Sequence, residues 1–144
     1  MNRTRMASLL ISLVLFVNGA AQAATVKLVV NAANSLPSIT KAKAADLFLK
    51  RVTRWDNGRA VTPVDLSEKS PVRGAFCKEL LGKETAWVKS YWQKMIFSGR
   101  ATPPVELSSD AEVLDFIRNN ADAIGYVGEP TAVPAGVRTL PVAE

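Results

Sequence analysis

Between Thr25 and Val142 short β-branched runs alternate with segments of helical period, and this alternation narrows the fold more than any single residue does. Thr25-Val26-Lys27-Leu28-Val29-Val30-Asn31 reads as a central strand that stops at the polar stretch Ala32-Ala33-Asn34-Ser35. Ser38-Ile39-Thr40 opens a helix through about Lys50, with Ala44, Leu47, Phe48 and Val52 on one apolar face. Asn57-Gly58 is a turn signal, and Arg54, Trp55 and Arg59 flank it; a solvated hairpin-like turn with Trp55 packed inward is expected. Ala60 to Leu66 follows as a second strand, which Pro63 assigns to an edge or a bulge.

A second helix is expected from Pro71 to about Leu81, with Ser70 as N-cap, Pro71 at N1 and Gly82 past the end. A third covers Glu84 to about Phe97, where Trp87, Val88, Tyr91, Trp92, Met95 and Ile96 recur at helical spacing and most of them supply core area. Gly99 suits the left-handed position that ends this helix, and Arg100 the negative end of its dipole. Ser109-Asp110-Ala111-Glu112 is a capping box for a fourth helix that ends near Asn120. Ala123-Ile124-Gly125-Tyr126-Val127 reads as a short buried strand and Val137 to Val142 as a last one. The sum is a two-layer or three-layer α/β domain with a small, partly parallel sheet.

The first 23 residues place Arg3 and Arg5 ahead of an apolar run, Ala7 to Val17, and end in Ala21-Gln22-Ala23. That is the layout of a secretory signal peptide, cleaved near Ala23, and it predicts a periplasmic protein of one domain over residues 24–144 with no stable membrane insertion. Removing Arg3 and Arg5 lowers the net charge from +5 to +3 (5 − 2). The remaining excess is spread along the chain, unlike the clustered stripe of a nucleic-acid binder, so no nucleic-acid partner is expected. The chain has no histidine and one cysteine, Cys77, which excludes His-based triads, Cys–His pairs and the usual zinc sites. No paired catalytic carboxylates occur either, so neither an enzyme, a metal nor a cofactor is expected. Cys77 reads as a buried small apolar side chain; a reactive thiol or an intermolecular bridge is the alternative.

The stretch Ser67-Glu68-Lys69-Ser70-Pro71-Val72-Arg73 lies between a strand and a helix start. Two readings compete there. In one, Ser70 and Pro71 only cap a helix. In the other, the free N–H groups of the helix start, the Ser70 hydroxyl, the Arg73 guanidinium and the Lys69 charge bind an oxyanion, against the missing N–H of Pro71 and the charge of Glu68. Asn34 and Ser35, after the first strand, are candidates for the same face of the sheet.

Ala45-Asp46-Leu47-Phe48-Leu49, Arg54-Trp55-Asp56-Asn57-Gly58, Ser70-Pro71-Val72-Arg73 with Phe76, Tyr91-Trp92, Phe97-Ser98-Gly99-Arg100 with Pro103-Pro104, and Ala123-Ile124-Gly125-Tyr126-Val127 occur in this order. Together, over about residues 26–128, they resemble the PstS-like phosphate ABC transporter substrate-binding family of the periplasmic binding protein type II superfamily, in its short, single-lobe form. The resemblance implies a single lobe of that fold, a small mixed sheet flanked by about four helices, with residues 67–73 matching a phosphate loop. That family has an arginine and a Ser-Gly-Thr run there. Here Ser70 is kept, Pro71 and Val72 stand at the glycine and threonine, and Asp65 lies near the arginine's place. The expected ligand is phosphate or a related oxyanion, held by Ser70, Arg73, Val72, Lys69, Asn34 and Ser35, with a role accessory to ABC-type uptake. Because full-length members bind between two lobes, a homo-oligomer or an envelope protein partner would have to supply the other wall. The alternative is an exported protein-interaction module that keeps the fold and has lost anion binding.

Overall fold

The computed structural model describes residues 25–144; the expected signal peptide lies outside the described residues. Strand β1 spans Val26–Asn31, β2 Ile39–Thr40 and helix α1 Lys41–Phe48. Then come β3 at Thr62–Leu66, α2 at Pro71–Phe76, a π-helical turn at Cys77–Leu81 and α3 at Thr85–Phe97. The chain closes with β4 at Val105–Leu107, α4 at Asp110–Asn119, β5 at Ala123–Gly128, β6 at Val137–Leu140 and β7 at Val142–Ala143.

Five strands form a mixed sheet in the order β4-β3-β5-β1-β6, and β2 pairs with β7 in a separate parallel ribbon. Strand β3 runs parallel to β4 and β5, whereas β1 runs antiparallel to β5 and β6. Helices cover both faces, which makes the domain three-layered. On one face Val113 and Ile117 of α4 meet Val64 over Gly125, where an added Cβ would lie 2.9 Å from Val113 and 2.9 Å from Val64. Gly125 therefore serves close packing between sheet and helix. On the other face Phe76 stacks on Tyr126 at 3.8 Å between ring centroids, and Phe48 meets both rings edge-on.

Several expectations are corrected. Pro63 lies in an internal strand. The Thr62 N–H donates to the Asp122 carbonyl on the β5 side, so by alternation the proline nitrogen faces β4, whose pairing begins one residue later at Val64. The lost donor thus falls outside the ladder. Helix α1 starts after Thr40, whose side chain accepts from the Lys43 N–H. Ile39 pairs with Val142 instead of opening the helix. Lys50 adopts φ 54°, beyond the end of α1, and Val52 is exposed instead of completing an apolar face. The last strand is divided around Pro141, and β4, hidden between Pro104 and Ser108, is an added edge strand.

Other local signals are borne out. Ser109 accepts from the Glu112 N–H, while the Glu112 carboxylate reaches one residue further back to the Ser108 N–H. Trp55 is buried, with its indole N–H donating to the Asp122 carbonyl. Gly82 and Gly99 take φ 63° and 66° at the ends of their helices.

Candidate functional site

Strand β3 alternates Val64 and Leu66 with Asp65, so Asp65 shares a face with Tyr126 and with the first turn of α2. Tyr126 donates its hydroxyl proton to Asp65 Oδ1, and the Leu66 N–H donates to the same carboxylate oxygen at 2.8 Å and to the Tyr126 oxygen at 3.2 Å. Arg73, in the first turn of α2, turns inward to this group and is 8% exposed. Its Nη2 lies 3.4 Å from Asp65 Oδ2, and its Nη1 lies 3.9 Å from Glu68 and 3.9 Å from Glu106. Nε and Nη1 of Arg73 have no hydrogen-bond partner among the described residues.

Burial raises the Asp65 carboxyl above its ordinary range, and it outweighs the Tyr126 hydrogen bond and the Arg73 charge, which act downward. Burial also raises the Tyr126 phenol, helped by the neighbouring Asp65. Cys77, buried one turn along, is pushed up to about 11 by burial first and by Asp65 second, so its thiol stays neutral and is inert as a nucleophile.

Ser70 occupies the N-cap position with φ −77° and ψ 125°, but its side chain makes no capping hydrogen bond. The loop before it folds on itself, with the Lys69 N–H on the Ser67 hydroxyl and the Ser70 N–H on the Ser67 carbonyl. Lys69 is exposed, and Val72 is half-buried against the core. The structure therefore brings Lys69, Ser70, Val72 and Arg73 together at one loop. It also brings Asp65 and Glu106 there, and the role of Glu106 has no local signal because it arrives on β4.

Asn34 and Ser35 do not join this group. Val30 of β1 pairs opposite Ile124, which pairs opposite Pro63, so the end of β1 lies beside the start of β3. The loop after β1 and the loop after β3 consequently sit at opposite ends of the sheet, because β1 is antiparallel to β5. Asn34 and Ser35 instead line a cleft of about 270 Å³ with Trp55, Arg59 and Asp122. In that cleft Arg59 is paired with Asp122 at 2.8 Å, and Asn34 caps its own loop by accepting from the Leu36 N–H.

Among the described residues no group of His, Cys, Asp and Glu is arranged to hold a metal ion. The Asp65–Tyr126–Arg73 cluster can bind or orient a polar group.

No protein-family model matches the chain, and no curated protein matches it in sequence. Solved structures share its fold. An ABC-type phosphate transport receptor from Vibrio cholerae superposes with a TM-score of 0.64 at 15% identity, over 82% of this chain and 46% of that one. A putative phosphate ABC transporter substrate-binding protein with bound phosphate from Clostridium perfringens gives 0.64 at 16% identity, over 82% and 44%. PstS from Borrelia burgdorferi gives 0.65 at 15% identity, over 83% and 47%. At these identities the likeness shows the fold alone, and the chain spans less than half the length of each of these proteins.

Proposed function

We propose that this chain is an exported, periplasmic substrate-binding-like domain that binds phosphate or a related oxyanion weakly at residues 67–73, with no chemistry of its own. The observation that carries this reading is Arg73: a guanidinium in the first turn of α2, almost fully buried, with two nitrogens lacking an acceptor. A buried donor without a partner is costly; both nitrogens are closed off from solvent, so an oxygen ligand that removes that cost has to displace the loop around them. The Ser70 hydroxyl, unused as a cap, is the second donor, and the Val72 backbone and Lys69 lie beside it. The shared fold of the phosphate receptors supports the same ligand class.

The three carboxylates around Arg73 set the expected affinity low, since they hold the guanidinium and repel an anion. Titration calorimetry of residues 24–144 with phosphate, with sulfate as control, tests the reading. Saturable heat in the millimolar range, with phosphate preferred and reduced severalfold by Ser70→Ala, is the expected result. No saturable heat at millimolar phosphate would overturn it.

A second reading, an exported interaction module without anion binding, draws on the same carboxylates, because they already neutralise Arg73. Recovery of a stable partner protein, insensitive to phosphate, from a periplasmic extract would favour it.

A further inference from the structure

The carboxyl end of α3 leaves Phe97 91% exposed and Ile96 53% exposed. This is an ordered feature of the fold. The Gly99 N–H donates to the Ile96 carbonyl at 3.0 Å and the Arg100 N–H to the Met95 carbonyl at 3.1 Å, the paired bonds of a Schellman cap. Gly99 at φ 66° completes that cap. The helix is anchored behind the tip by buried Val88 and Trp92, and by the Tyr91 hydroxyl, which donates to the Leu49 carbonyl at 2.7 Å. The cap and the anchor together hold Phe97 outward.

Along the helix and its exit the charge has one sign. Residues 85–105 contain Lys89, Lys94 and Arg100 and no Asp or Glu. All three cations are exposed, and none forms an ion pair among the described residues. Lys94 lies three residues before Phe97, one helical turn away on the same face. Arg100 follows it at the end of the cap.

A ring this exposed is packed against no neighbouring side chain, so it protrudes; it is not one wall of a groove. A protruding ring suits a medium that deforms around it, and the unpaired cations select negative charge. We infer that the carboxyl end of α3 is a peripheral contact with an anionic bilayer surface. Phe97 and Ile96 enter the headgroup region while Lys94 and Arg100 meet lipid phosphates, the two-signal arrangement that surface binding requires. No described helix is long and apolar enough to cross a membrane, which agrees with a contact that stays at the surface.

Sedimentation with vesicles tests this. The protein is residues 24–144, which hold every residue of the described core and leave out the apolar run Ala7 to Val17, which would enter lipid by itself. Vesicles of phosphatidylglycerol mixed with phosphatidylcholine are compared with phosphatidylcholine alone, at low and high salt. The expected result is partition onto the anionic vesicles only, weakened by salt, with a loss of about tenfold for Phe97→Ser. Lys94→Gln and Arg100→Gln are each expected to lose about fivefold. These side chains are exposed, so the variants keep the parent's circular dichroism. The inference fails if the parent stays in the supernatant, if it binds neutral vesicles equally, or if the three variants bind as the parent does. It also fails if Phe97→Ser abolishes self-association or capture of an acidic protein while vesicle binding is absent. None of these results depends on residues 67–73, so the test is separate from that of the anion site.

Discussion

Arg73 and Asp65 face each other inside the domain, Nη2 to Oδ2 at 3.4 Å, with side chains 9% and 13% exposed. They come from the start of α2 and the middle of β3, and Tyr126 of β5 holds the carboxylate from the third side. Any anion that reaches Arg73 must compete with this pair.

Breaking the pair is expected to cost stability. Arg73→Ala leaves a buried carboxylate without its counter-charge and should lower the unfolding free energy by about 3–5 kcal/mol. Arg73→Met combined with Asp65→Asn removes both charges and keeps an acceptor for the Tyr126 hydroxyl, so it should recover most of that loss. Urea unfolding of the single and double variants checks both statements, and non-recovery in the double variant would show that the charges themselves stabilise the fold.

Asp65 also fixes the sign of a pH effect. Its carboxyl is raised in the folded state, chiefly by burial, so its contribution to stability is fully present below the unfolded value near 3.8 and is lost as pH rises through the folded value. Asp65→Asn lacks that titration. The stability of the parent relative to Asp65→Asn should therefore decline from about pH 4 upward and level off once Asp65 is ionised. Unfolding curves across this range read the difference; a parent that gains on the variant with rising pH would contradict the direction.

Two serines at N-cap positions are expected to behave differently. The Ser109 hydroxyl accepts from the Glu112 N–H at 3.2 Å, so Ser109→Ala should cost about 1 kcal/mol. Ser70 makes no such bond, and Ser70→Ala should change stability by less than about 0.5 kcal/mol. Equal losses in denaturant titrations would mean that Ser70 caps α2 after all.

Cys77 offers a probe of opening. Its thiol is buried and raised to about 11, so a thiol reagent at mildly alkaline pH should label the native protein slowly and the urea-unfolded protein fast. Labelling of the native state at the unfolded rate would place the thiol at the surface.

The sequence by itself determined the helices and the longer strands with most of their ends, but neither β2 nor β4. The capping bond of Ser109 and the left-handed glycines Gly82 and Gly99 rest on interactions within a few residues, which local chemistry specifies. It also placed Lys69, Ser70, Val72 and Arg73 at one loop, since they are adjacent in the chain. Tertiary structure alone decided the rest. The antiparallel direction of β1 sends Asn34 and Ser35 to the far end of the sheet, and the register of β3 between β4 and β5 shelters the missing donor of Pro63. The inward turn of Arg73 depends on Asp65, Tyr126 and Glu106, side chains that only strand pairing brings together. Strand direction and the burial of charge are settled by partners distant in sequence, and no window of local residues encodes where those partners will stand.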